Sequence, residues 1–194
     1  MNGDIFVYYS LLIHGSLSLT YHCAFEKQII HLYDARQYSS GAFSEMKLDS
    51  NTLLNALQTK GHTAQPHIAS ELSRAKWSSM TFNKSGKQIL ITTELGLVLV
   101  VDGYDANIVT HVFSAEDMSG EGSQSAKPAA ACFSSDDQTV LVGNENGSIS
   151  CYDVVSGLLV KKLDGHVGHV GCVASSPKYA QIASACTNVA LWTW

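Results

Sequence analysis

The stretch that decides the fold is FNKSGKQILITTELGLVLVVD, residues 82–102, because it recurs in outline 51 residues later as FSSDDQTVLVGNENGSISCYD, residues 133–153. In each copy, phenylalanine precedes a polar turn, an apolar run rich in β-branched residues, a second turn with glycine, and another run that ends in aspartate. Short apolar runs separated by turn residues predict strands joined by hairpins. The repeat therefore predicts consecutive antiparallel sheets built from up to four short strands each.

Further copies of this unit flank the central pair, and together they predict a nearly all-β chain. A third copy follows Gly165-His166, and an earlier copy is represented only by its last two strands. The predicted strands are 29–34, 43–48, 77–82, 88–93, 97–101, 108–113, 140–142, 148–152, 158–163, 170–175, 181–185 and 189–192.

Turns and insertions separate these strands. Asn146-Gly147 predicts a hairpin with a type I′ turn, in which both residues take positive φ. Residues 115–128 form a polar loop, and residues 49–76 form an insertion in which Leu53, Leu54 and Leu57 predict a short amphipathic helix.

The composition sets limits on the class of protein. The 194 residues predict one domain, and 15% charged residues with 45% hydrophobic residues exclude a disordered tail or a charge-driven coiled coil. The chain has 12 Lys+Arg and 17 Asp+Glu, a net charge of −5. This acidic balance argues against direct binding to the phosphates of nucleic acid, which needs a basic surface. Five cysteines without a CxxC pair, each next to small or apolar residues in a strand-like run, predict buried reduced thiols. These are Cys23, Cys132, Cys151, Cys172 and Cys186.

Neither a membrane segment nor an enzyme motif is predicted. Ile5–Thr20 is apolar, but it follows Asp4 and is too short for a membrane span. The chain has no phosphate-binding glycine loop and no Gly-x-Ser-x-Gly elbow, so we expect no catalysis, no cofactor and no metal. His166, His169, His62 and His67 suit zinc by residue type, but the absence of a cysteine at ligand spacing favours structural or solvated histidines.

The repeat resembles that of the WD-repeat β-propellers, which opens with Gly-His and ends its third strand with Trp-Asp. Tyr33-Asp34 and Tyr152-Asp153 stand in for Trp-Asp, with a weaker copy at Val101-Asp102. The resemblance implies a hydrogen-bonded tetrad in which the turn acid is replaced in the region Thr187-Asn188. The residues that carry the repeat motif are Tyr33, Asp34, Asp102, Tyr152, Asp153, Gly165, His166, Ser184 and Trp192.

Within this family, residues 21–194 look like the C-terminal half of one WD-repeat subunit, most specifically at ASACTN, residues 183–188. That subunit is shared by Set-type histone H3 methyltransferase (COMPASS) complexes and a nuclear protein phosphatase 1 and transcription-termination assembly. The resemblance implies a nuclear, non-catalytic scaffold whose partners are protein subunits. Residues 1–20 and the insertion at 49–76 have no counterpart in it.

The family closes a ring of seven blades, whereas this chain supplies about three and a half. An open arc leaves sheet faces and edges bare, which a closed propeller avoids. The chain is expected to be a fragment, a truncated gene model with non-native residues 1–20, or half of a ring completed by another chain. We favour truncation.

Two groups of residues are candidate partner contacts. Arg36, which follows Tyr33-Asp34, resembles the arginine with which some WD-repeat proteins dock on the adaptor of a cullin ubiquitin ligase. That role makes a cullin-RING substrate receptor the alternative function, with a hydrolase-like propeller a distant third. The other reading is that Arg36 pairs with a carboxylate of a neighbouring blade.

Arg74, Lys76 and Trp77 lie near the start of a unit, where propeller loops reach one face. The resemblance implies that this face binds peptides, among them the phosphorylated tail of RNA polymerase II, whose phosphates a basic side chain would contact. Solvated loop charges are the alternative interpretation.

Overall fold

The computed structural model describes residues 6–14, 17–24, 29–48, 76–104, 109–114 and 130–193, and these form fifteen strands. A short 3-10 segment, Ala35–Ser40, follows the third strand. The strands are β1 Phe6–His14, β2 Leu17–Ala24, β3 Ile29–Asp34, β4 Ser44–Lys47, β5 Trp77–Phe82, β6 Gln88–Thr93, β7 Leu97–Asp102, β8 Val109–Ser114, β9 Ala130–Phe133, β10 Thr139–Gly143, β11 Ser148–Asp153, β12 Leu159–Asp164, β13 Cys172–Ser175, β14 Gln181–Ala185 and β15 Val189–Thr193.

The strands form four antiparallel sheets in chain order. The first three sheets have four strands each, β1–β4, β5–β8 and β9–β12, and the fourth has β13–β15. Within every sheet, neighbours in sequence are neighbours in space. Contacts between β1 and β5, β6 and β9, and β9 and β13 join consecutive sheets. The expected architecture of successive four-stranded units is confirmed.

The strand bounds agree with the sequence prediction within two residues, but the first sheet is more complete than expected. The sequence identified only its third and fourth strands, whereas residues 6–14 and 17–24 form its first two. The segment 1–20, predicted as unassigned, therefore contributes β1 and part of β2. The helix predicted in the insertion and the loop 115–128 lie outside the described residues.

Apolar residues of β6 and β7 are buried on both faces of the second sheet, which explains their unbroken hydrophobic runs. Ile89 and Ile91 pack toward the first sheet, while Leu90 between them packs toward the third. This alternation follows from the two-residue period of side chains along a strand. One strand thus contributes to two cores, which explains why three consecutive residues, 89–91, are all apolar.

Three hydrophobic clusters fill the spaces between consecutive sheets. The first contains Trp77, Met80 and Leu99, the second Phe113, Phe133 and Val142, and the third Leu141, Ile149 and Ile182. The fourth sheet is buried on one face only. Its Ile182 is 2% exposed, whereas Val189 and Leu191 on β15 are 75% and 81% exposed.

One turn geometry recurs at four places and corrects the predicted type I′ hairpin. At 83–86, 93–96, 134–137 and 144–147, the fourth amide donates to the first carbonyl, and the fourth residue has positive φ. In the hairpin after β10, only Gly147 has positive φ, at +88°, and Asn146 does not. The turn begins at Asn144, two residues before Asn146, so the loop is longer than the two-residue loop that was predicted. It is a type I turn that ends in a left-handed residue, the geometry typical of longer hairpin loops.

Asp137 takes the left-handed position at which the preceding unit has Gly86, and it links two sheets. Its φ is +62°, a conformation that aspartate tolerates better than most side chains. Its carboxylate accepts hydrogen bonds from the backbone amides of Lys84 and Ser85, at 2.7 and 2.8 Å. The first turn of the third sheet is thereby hydrogen-bonded to the first turn of the second sheet.

We expect Asp137→Ala to lower the free energy of unfolding by about 1–3 kcal/mol, because two charge-assisted bonds to backbone amides are lost. Asp137→Asn keeps one acceptor oxygen and a side chain that tolerates positive φ, so its loss is expected to be about half as large. Urea denaturation of the three proteins measures both differences. An alanine variant as stable as the original chain would show that this link contributes nothing.

Candidate functional site

Two aspartates of the repeat motif, Asp102 and Asp153, close the turns that follow the third strands of the second and third sheets. Asp102 accepts a hydrogen bond from the Tyr104 amide at 2.8 Å, at the end of β7. Asp153 ends β11 and accepts from both the amide and the hydroxyl of Ser156, each at 2.6 Å. The Ser156 hydroxyl lowers the pKa of Asp153, since it favours the ionised carboxylate. These two residues therefore have local structural partners.

A connected polar cluster lies where the Gly165-His166 segment meets the hairpin of β14 and β15. Trp192 Nε1 donates to Ser184 Oγ at 2.7 Å, and Ser184 Oγ lies 2.7 Å from His166 Nε2. His166 Nδ1 in turn lies 3.1 Å from Cys186 Sγ. The predicted association of His166, Ser184 and Trp192 is present in the structure. We call these residues and Cys186 the His166 cluster.

The donors in this cluster determine where the histidine proton resides. The indole N–H of Trp192 can only donate, so Ser184 Oγ is its acceptor. The hydroxyl hydrogen of Ser184 is then available to be donated to His166 Nε2. A neutral imidazole that accepts at Nε2 carries its hydrogen at Nδ1. We assign Nδ1–H as the donor to Cys186 Sγ. Each residue in the series Trp192, Ser184, His166 and Cys186 then has a defined donor or acceptor role.

Cys186 occupies the place at which the sequence analysis expected Thr187-Asn188 to replace the turn acid. Sγ accepts a hydrogen bond from the Asn188 amide at 3.4 Å and lies 3.6 Å from Thr187 Oγ1. The Asn188 amide, then the Thr187 hydroxyl and His166, lower the pKa of Cys186 to about 6. Sequence reasoning missed this role because the sulfur is brought to His166 across twenty residues of chain.

The other thiols only partly match the prediction of buried cysteines. Cys151 is buried and Cys132 half-buried, and burial raises the pKa of Cys151 to about 11 and that of Cys132 to about 12. Cys172 is exposed, which corrects the expectation for that residue, and Cys186 is half-buried in a turn rather than in a strand. The side chain of Cys23 lies outside the description.

The Ser184–His166 distance is that of a nucleophile and its base, but the environment is wrong for catalysis. Ser184 is 2% exposed, and its Oγ already accepts a hydrogen bond from Trp192. A catalytic serine must reach a substrate carbonyl. Within the described ranges, no three His, Cys, Asp or Glu side chains are grouped to hold a metal ion. Of the four histidines weighed as zinc ligands in the sequence, His62 and His67 lie outside those ranges.

Of the four candidate partner-contact residues, the structure describes the side chains of Lys76 and Trp77, which have different surroundings. Lys76 is exposed directly before β5, whereas Trp77 is 9% exposed and packs in the first hydrophobic cluster. Trp77 is therefore a core residue, because its indole fills space between the first two sheets. Arg74 lies outside the described residues. Tyr33 and Asp34 end β3, and Arg36 lies in the 3-10 segment, but their side chains are not described.

A polar groove of about 480 Å³ lies between the second and third sheets. Asp102, Lys87 and His111 line it together with Asp137. His111 stacks on Phe113 and Phe113 on Tyr152, with ring centroids 5.7 and 4.4 Å apart. Sequence reasoning named Asp102 and Tyr152 here but missed His111 and Asp137, since nothing in the repeat marks which turn side chains meet across two sheets.

The packed antiparallel sheets define the fold as a β-propeller with an incomplete set of blades. A chain in the crystal structure of the mitotic checkpoint complex has the same fold, with a TM-score of 0.56 at 17% identity. The match covers 91% of this chain and 44% of that one. Among the described residues, no helix has the length and apolar composition needed to cross a membrane.

Among curated proteins, the chain is similar to WD repeat-containing protein 82 of Drosophila melanogaster, with 29% identity over 175 residues. This match covers 90% of the chain and 47% of the relative. It is also similar to Protein ANTHESIS POMOTING FACTOR 1 of Arabidopsis thaliana, with 24% identity over 174 residues, 90% of the chain and 44% of the relative. The chain spans about half the length of these curated relatives. No family model matches it.

Proposed function

We propose that this chain is a non-catalytic protein-interaction scaffold that serves as a subunit of a nuclear assembly. The assembly is a histone H3 lysine methyltransferase complex of the COMPASS type, a protein phosphatase 1 transcription-termination complex, or both. The observation that carries the proposal is the similarity to WD repeat-containing protein 82 across 90% of the chain. The two complexes named here are those that the family resemblance in the sequence implies.

The described surface is suited to binding proteins rather than to catalysis. Asp102 and Asp153 have partners within their own turns, and the His166 cluster has no accessible nucleophilic serine. The outer strand β12 and the turn before it present apolar side chains to solvent. Val155, Leu158 and Val160 are 86%, 67% and 68% exposed, and Leu159 is 48% exposed. Adjacent exposed apolar residues are typical of protein contact sites. We call these four residues the β12 surface.

A second contact is proposed at the start of the second unit. Lys76 is exposed there, and Arg74 precedes it in sequence. Their positive charges suit a phosphorylated peptide such as the tail of RNA polymerase II. Trp77 is not included, since its side chain is in the core.

A cullin-RING substrate receptor is the less favoured function. It rests on Arg36 alone, and neither curated relative has a name that refers to ubiquitin ligation. Affinity purification of the tagged full chain from nuclear extract separates the two functions. Recovery of Set-type methyltransferase or phosphatase 1 subunits supports the scaffold proposal. Recovery of the ligase adaptor instead, with loss on Arg36→Ala, would overturn it.

We expect the double variant Leu158→Asp, Val160→Asp to reduce recovery of these subunits by about tenfold or more, because charge replaces apolar contact area. The fold should be unchanged, since both side chains already lie in water. Val167→Asp is the matched control, because Val167 is 97% exposed in the turn that follows β12. Unchanged recovery with the double variant, measured by quantitative mass spectrometry, would remove the β12 surface from the proposal.

A further inference from the structure

Cys186 differs from the other described thiols in both position and contacts. It directly follows β14, in the turn that leads to β15, and its side chain is partly exposed. The Asn188 amide donates to its sulfur at 3.4 Å, and two groups able to donate lie beside it, His166 Nδ1 at 3.1 Å and the Thr187 hydroxyl at 3.6 Å. A sulfur that faces donors on several sides is stabilised as the thiolate.

The imidazole of His166 is held in place rather than free to turn away. Ser184 and Trp192 fix its Nε2 side, and the backbone amide of His166 donates to the carbonyl of Gly147 at 3.2 Å. Nδ1 therefore points steadily at Cys186. A cysteine paired with an oriented histidine is a recurring arrangement for a reactive thiol.

We propose that Cys186 is a modification site, a reactive thiolate that hydrogen peroxide oxidises to sulfenic acid. The thiolate sulfur gives an electron pair to one peroxide oxygen, so the S–O bond forms and the O–O bond breaks. The sulfenic acid keeps one oxygen with its hydrogen, and the other leaves as hydroxide, which the buffer acid protonates to water. The sulfur is oxidised by two electrons, and the peroxide is reduced by two.

Oxidation would disturb the His166 cluster. The anionic acceptor for His166 Nδ1 is replaced by a neutral group, and an added oxygen must fit where nitrogen and sulfur are 3.1 Å apart. His166, Ser184 and Trp192 connect the segment before β13 to both β14 and β15. Modification at Cys186 is therefore coupled to the packing of the fourth sheet.

The test is to treat the full chain with dilute hydrogen peroxide at pH 6 and trap sulfenic acid with dimedone. Peptide mass spectrometry then gives the rate at each cysteine. With a pKa of about 6, half of Cys186 is ionised at this pH. An ordinary cysteine, with a pKa of about 8.5, is about 0.3% ionised. Because a less basic thiolate is also a weaker nucleophile, the net expectation is about tenfold faster reaction than N-acetylcysteine amide in the same solution.

The internal control is Cys172, an exposed thiol of the same sheet. We expect Cys186 to be labelled before Cys172, with a rate that falls as the pH is lowered through about 6. Equal labelling of the two thiols at pH 6, or a Cys186 rate that rises only above about pH 8, would overturn the proposal.

Two variants test whether the contacts around the sulfur are responsible. His166→Gln removes the imidazole, and Thr187→Val removes the hydroxyl with little change in shape. Thr187 is exposed, so its variant is expected to fold even if the histidine variant does not. Each should move the midpoint of the pH–rate profile of Cys186 upward, which a purely structural role would not do. An unchanged midpoint in a folded variant contradicts the assignment for that contact.

Discussion

Replacing Leu141 by alanine is expected to lower the free energy of unfolding by about 2–5 kcal/mol. Leu141 lies in the middle of β10, is 0% exposed, and packs in the third hydrophobic cluster. The fourth sheet covers it with side chains of moderate size, Val170, Val173 and Ile182. Val173 and Ile182 belong to strands fixed by their hydrogen bonds, and the amide of Val170, in the segment before β13, donates to the carbonyl of Asn144, so these side chains cannot easily fill the space left by the missing atoms. Urea denaturation followed by circular dichroism measures the change.

Leu191→Ala is the matched control for this prediction. Leu191 lies in the last strand of the fourth sheet, but its side chain is 81% exposed. We expect a change within about 0.5 kcal/mol, as for most surface substitutions. If the two alanine variants lose equal stability, then the third cluster is not the core that holds the last two sheets together.

Replacing Gly147 by alanine is the second change with a large expected effect, a loss of more than about 2 kcal/mol. The backbone of Gly147 has φ +88°, a region that side chains disfavour. An added Cβ would also lie 2.1 Å from the carbonyl oxygen of His166, which is backbone and cannot rotate away. The hairpin of β10 and β11 and the segment before β13 would have to separate, so thermal unfolding should occur at a clearly lower temperature.

Two other glycines separate the two causes of this loss. Gly41 has φ +83° with open space around its Cβ position, so Gly41→Ala tests backbone strain alone and should cost about 1 kcal/mol. Gly168 has open space and no positive φ, so Gly168→Ala should be close to neutral. A Gly147 variant no worse than the Gly41 variant would show that the contact with His166 relaxes without cost.

Strand positions were predictable where the repeat supplies the signal. Ile89, Leu90 and Ile91 align with Val140, Leu141 and Val142, and both runs are strands buried on two faces. A strand that contributes to two cores needs consecutive apolar residues where both of its faces are covered, so that run is visible in the sequence. The segment of β1 and β2 has apolar residues but none of the repeat's landmarks, and its place in the first sheet was missed.

Turn geometry was predictable in location but not in type. The pair Asn146-Gly147 correctly marks the hairpin, yet the hydrogen bond closes from Gly147 to Asn144, which leaves only the glycine with positive φ. The loop length between two registered strands selects the turn type, and that length depends on where pairing stops. A dipeptide signal contains no information about the register.

What the sequence determined by itself is the all-β architecture, since strand length, alternation and turn residues are local properties repeated along the chain. Tertiary structure alone decided which side chains meet: Asp137 with the amides of Lys84 and Ser85, Trp77 with the core, and Cys186 with His166. The physical reason is that these contacts join residues of different sheets or of distant loops. Their distances depend on how the sheets pack, which no local pattern encodes.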